Sequence, residues 1–155
     1  MKKWWNIVLL AAMLAAAVAP ATAGSLNPTA ELRGYDVALV NLQTPVKIAT
    51  AEGRQKEYRQ AYLVRLHGSF PADGAELMRL ALGDQPIPEY GGLPDGIYFM
   101  VFETAALNKL AGREFRFQYG SQEWRSSGVH FEPSRFAPFM AMPEEQAFKR
   151  PFGEK

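Results

Sequence analysis

Cysteine is absent from all 155 positions of the chain. No disulfide can close a loop, no thiolate can act as nucleophile or metal ligand, and stability must come from packing. Long apolar runs are lacking too. The longest, Ile7–Ala19, has thirteen residues, where a membrane span needs about 20. No basic tract stands out and the net charge is only +1, which leaves nucleic-acid binding without electrostatic support. Histidine is scarce: His67 and His130 each sit in a strand-like stretch. Neither belongs to H-E-x-x-H, no serine lies in a G-x-S-x-G elbow, and no acidic run follows the calcium-loop pattern. These gaps lead to the expectation of a chain that is not an enzyme, with no cofactor and no metal.

The chain opens on Met1-Lys-Lys, runs through the short apolar stretch and leaves it at Pro20-Ala-Thr-Ala-Gly24. A basic start, a short apolar middle and an A-x-A exit read as a cleaved secretory signal peptide, residues 1–23. The expected location is periplasmic or secreted, with no membrane span after cleavage. Removing Lys2 and Lys3 from the 17 basic residues leaves 15 against 16 acidic ones. Residues 24–34 are polar, carry Pro28 and read as a loose lead.

From Tyr35 onward the apolar residues recur with period two. Tyr35–Leu42 reads as a strand, interrupted at Pro45 and resumed over Val46–Thr50, as an edge strand that changes partner. Tyr58–Gly68 alternates, with Tyr62, Val64 and Leu66 on one face and Arg59, Arg65 and His67 on the solvated one. Glu76–Leu82 is too short for a helix, and Ile97–Phe102 reads as a strand buried on both faces. Thr104 caps one helical turn, Ala105–Leu110, closed by Gly112. Arg113–Tyr119 and the strand after Gly120-Ser121 form a hairpin on a two-residue loop. That register sets Phe117 opposite Trp124, Phe115 opposite Ser126 and Arg116 opposite Arg125, the last pair requiring nearby acids. Residues 133–155, with Pro133, Pro138, Pro143 and Pro151, read as a tail of little regular structure that packs on the domain or a partner.

Short strands separated by turns imply an all-β antiparallel β-sandwich over residues 35–132, immunoglobulin-like in type, with one short helical turn. A small β-barrel is the alternative.

Gln85–Phe99, QPIPEYGGLPDGIYF, holds three prolines and three glycines. Pro86 and Pro88 suit an exposed edge, Gly91-Gly92 a bend and Pro94-Asp95-Gly96 a turn. A rigid exposed aromatic in such a loop suits a contact surface. The expected binding residues are therefore Glu89, Tyr90, Gly91 and Gly92, with Tyr90 as anchor. Phe136–Met142, rich in phenylalanine and methionine, competes as a contact surface. The function expected is protein recognition of an unknown envelope or extracellular partner. Glycan binding on Tyr58, Tyr62 and Tyr90 is an alternative, as is hydrolysis by a pair drawn from Asp84, Glu89, Asp95 and Glu103.

Overall fold

A long antiparallel hairpin is the spine of the molecule. β1 (Glu31–Ala49) and β2 (Gln55–Ser69) pair along most of their length. The computed structural model describes residues 31–50, 52–70, 78–87, 89–105, 107–119, 122–136 and 139–153. The expected signal segment and residues 24–30 of the lead lie outside the described residues, as do Gly120 and Ser121. β1 starts at Glu31, inside the expected lead, because Glu31 and Leu32 pair with Ser69 and Gly68. Only glycine permits that approach: a Cβ on Gly68 would lie 1.9 Å from the Glu31 carbonyl oxygen. Pro45 does not redirect the strand. Pairing lapses between Asn41 and Val46 and resumes with the same partner, as expected where a residue has no N–H to give to the ladder.

β3 (Met78–Leu82), β4 (Gln85–Ile87), β5 (Gly91–Leu93), β6 (Gly96–Val101), β7 (Glu114–Tyr119), β8 (Gln122–His130) and β9 (Met142–Pro143) follow. Two sheets result, in the orders β5-β6-β2-β1-β9 and β4-β3-β7-β8. The fold is all-β and, among the described residues, neither sheet closes on itself, which goes against the barrel alternative. Aromatic rings join the layers. Tyr35 meets Phe115 edge-on at 5.6 Å and stacks on Phe131 at 6.4 Å, and Phe99 reaches Phe115 at 6.5 Å. Around them Val37, Val64, Leu66, Leu80 and Phe117 are buried.

The β7–β8 register sets Phe117 opposite Trp124 and Arg116 opposite Arg125, as the two-residue loop length requires. The two arginines find their acid in Glu123, 2.9 Å from Arg116 Nη2 and 3.4 Å from Arg125 Nε. The ladder then breaks: Glu114 pairs with His130, so β8 carries extra residues. Ser126 fills the gap, its hydroxyl accepting from the Phe115 N–H and donating to the Val129 carbonyl, both at 2.9 Å. Gly128 turns the extra segment at φ +82°. The expected helical turn is a 3-10 turn, Leu107–Leu110, with Leu110 buried.

The tail is where the structure departs furthest from expectation. Residues 133–153 hold a 3-10 turn (Pro133–Phe136), strand β9 and a helix, α1 (Glu144–Lys149). Glu144 and Glu145 lie in the first turn of α1 and Lys149 in the last, which complements the helix dipole.

Candidate functional site

The glycine- and proline-rich stretch crosses between the sheets. β4 pairs with β3 in one sheet and β5 with β6 in the other, so the chain must leave one layer and enter the next within a few residues. Pro86 sits opposite Ala81 on β4, the edge strand of its sheet, as expected of a residue with no N–H. Tyr90 is half-buried and packs against the core, and its hydroxyl donates to the Met78 carbonyl. Burial raises its pKa. The expected exposed anchor is thus turned inward. Gly91 lies against β6: a Cβ there would fall 2.4 Å from the Tyr98 ring. Glu89 and Gly92 are exposed, and open space surrounds Gly92.

The acids and tyrosines proposed for chemistry are drawn to separate places. Asp84 pairs with Arg116 at 3.1 Å on the second sheet. Asp95 Oδ2 lies 3.1 Å from His67 Nδ1, close, yet outside hydrogen-bond geometry. Glu103 accepts from Lys56 at 2.7 Å and from the Tyr58 hydroxyl, and these two bonds lower its pKa. Tyr58 tilts onto Phe102 and Tyr62 meets Phe136 edge-on, each at 5.3 Å. With Tyr90 bonded to Met78, the three tyrosines do not share the flat exposed platform that a sugar ring would need. Among the described residues no three of His, Asp and Glu converge as metal ligands.

The densest polar arrangement lies on the outer face of the first sheet. Strand register lines up Val40 with Ala61, then Ala38 with Leu63 and Met100, then Asp36 with Arg65 and Tyr98, then Gly34 with His67 and Gly96. The C-terminal segment crosses these rows in order. β9 pairs in parallel with Val40 and Asn41. Glu144 accepts from the Gln43 N–H at 3.1 Å. Ala147 of α1 is fully buried, and Phe148 meets Tyr98 edge-on at 4.7 Å. Phe152 stacks on His67 at 4.4 Å beside Gly34, where an added Cβ would lie 3.7 Å from the Phe152 ring, an ordinary contact.

Arg65 is the fastener. It is 5% exposed, not solvated as strand alternation suggests, and each of its five N–H groups has an acceptor. Nε donates to Asp36 Oδ1 at 2.8 Å, and Nη2 to Asp36 Oδ2 and the Pro151 carbonyl. Nη1 donates to the carbonyls of Ala147 at 3.2 Å and Arg150 at 2.6 Å. These carbonyls end α1, where backbone acceptors lack intrahelical partners. Asp36 Oδ2 also accepts from the Gly153 N–H at 3.3 Å and lies 3.5 Å from Arg150 Nη2.

The 3-10 turn ahead of this segment reaches the same edge of β1. Arg135 Nη1 donates to the Tyr35 carbonyl at 2.7 Å while its guanidinium lies over the Tyr35 ring. Between buried Phe136 and β9, Phe139 and Met140 face water, Met140 at 91% exposure.

The chain matches no family model, no curated protein and no solved structure in comparisons of its sequence and fold. The residues that the sequence reading missed are Arg65 and Asp36. Opposite charges placed across from one another on β1 and β2 were the available signal, but the segment that buries them is more than eighty residues away.

Proposed function

We propose that the chain is an exported, non-catalytic recognition module of immunoglobulin-like type, and that it meets its protein partner through Phe139 and Met140. The strand order supports the type: counting β1 to β8 as strands A, B, C, C′, D, E, F and G gives an ABED sheet facing a GFCC′ sheet. The leading basic-apolar-small pattern supports export. The observation that carries the recognition reading is the Phe139–Met140 pair. Two adjacent large apolar side chains stand in water, anchored on one side by buried Phe136 and on the other by β9. Methionine beside an aromatic suits an adaptable protein contact. The Glu89–Gly92 loop offers no comparable anchor once Tyr90 is turned in.

A photoreactive residue at position 140 of the full chain, expressed with its own leader, tests this. The expected result is a protein adduct from position 140, absent with the same group at exposed Arg59 and weakened by Phe139→Ser. Equal labelling at both positions, or none at 140, rejects the contact surface.

A further inference from the structure

Sulfur in this chain is carried by methionine alone. There is no cysteine, and of the six methionines Met1 and Met13 fall within the expected leader, which leaves Met78, Met100, Met140 and Met142. The fold sorts these four. Met78 and Met100 are each 5% exposed and belong to the core. Met142 is half-buried on β9, opposite Val40. Met140 is 91% exposed. A thioether gives two electrons to a peroxide, and the rate at which a dissolved peroxide reaches it follows exposure. With no thiol in the chain to react first, Met140 takes the first oxygen.

The consequence follows from position. Met140 adjoins Phe139, and the two form the exposed apolar pair. Oxidation replaces a polarizable apolar sulfur by a polar, chiral sulfoxide. In water that group is solvated at no cost. Pressed into an apolar contact it loses its water without gaining a donor. Standing almost wholly in solvent, Met140 lends the fold little packing, so the change acts on the surface and not on the core.

We propose that Met140 is an oxidation site that turns the Phe139–Met140 contact off: a peroxide converts its thioether to the sulfoxide, and the partner is released. With hydrogen peroxide, Sδ attacks one peroxide oxygen. The S–O bond forms as the O–O bond breaks, and sulfur is oxidised by two electrons. The proton on the transferred oxygen passes to the departing hydroxide, which leaves as water. The release rests on the reading of Phe139 and Met140 as a contact surface; the selective oxidation does not.

The full chain, carrying a photoreactive phenylalanine analogue at position 139, is treated with dilute hydrogen peroxide, which catalase then removes. Peptide mass spectrometry is expected to find Met140 oxidised about tenfold faster than Met78 and Met100, with the urea midpoint unmoved. Equal rates, or a midpoint that falls as Met140 is oxidised, overturn the site. Treated and untreated chains are then mixed with envelope extract and illuminated. The adduct formed by the untreated chain is expected to fall about tenfold once Met140 is fully oxidised. In Met140→Leu, which cannot take the oxygen, peroxide is expected to leave the yield at that variant's own starting value. An adduct that survives full oxidation, or one that peroxide removes equally in Met140→Leu, overturns the switch while the contact stands. No adduct from the untreated chain rejects the contact surface and the switch together.

Discussion

At the scale of single residues, Arg65 shows how position in a strand and environment can disagree. It alternates like a solvated arginine, yet the guanidinium is enclosed and its five donors are matched to a carboxylate and three carbonyls. Removing one member of a buried pair strands the other without compensation. Arg65→Ala is therefore expected to lower unfolding free energy by about 3–5 kcal/mol, read from urea denaturation. Arg65→Lys is expected to recover little, since an ammonium cannot span Asp36 and the helix carbonyls together. A lysine variant as stable as wild type would show that charge alone, not the planar fork, holds the segment. Tyr90 teaches the converse. A tyrosine among glycines and prolines reads as an exposed anchor, but its hydroxyl reaches the Met78 carbonyl because the crossing between sheets swings the ring over the core edge.

At the scale of elements, the β7–β8 hairpin was legible; the pairing of β1 with β2 and the closing segment were not. The β7–β8 register follows from period-two alternation and a two-residue connection, both local. The interruption at Pro45 was legible as well, though not its outcome, because only the paired strand shows that the partner stays the same. α1 has six residues between Pro143 and Pro151, too few for helical periodicity to emerge; packing on the sheet holds it. Chains ending at Pro143 are expected to lose at least about 3 kcal/mol, as Leu63 and Met100 meet water, and to bind a hydrophobic dye that the full chain excludes. Unchanged stability would mean that the sheet's outer face does not need its cover.

At the scale of the molecule, stability must be carried without disulfides, and its pH limits follow from how the tyrosines are held. Burial is the leading cause that raises the pKa of Tyr35, Tyr58, Tyr90 and Tyr98. A raised phenol contributes stability in full below its unfolded value and loses it as pH climbs through its folded one. Stability is therefore expected to fall above about pH 10, before lysines discharge fully, measured as urea midpoints across an alkaline series. Tyr35→Phe should flatten that fall, and an unchanged slope would place the alkaline limit elsewhere. The acid limb is shallow at Glu103: its depressed pKa gives stability above the carboxylate range that is lost in acid, but its side chain is 56% exposed, so solvent screens the pair.

The sequence by itself determined the all-β class, the positions of most strands, the β7–β8 register and the freedom from disulfide chemistry. These follow from backbone geometry and side-chain alternation, which act over a few residues. Only the tertiary structure decided that residues 142–153 return to the first sheet, that Arg65 and Asp36 are enclosed, and that Phe139 and Met140 are left in water. Those outcomes depend on which distant surfaces meet, and the free energy that selects them resides in contacts between β1, β2 and a segment about a hundred residues further along the chain from β1.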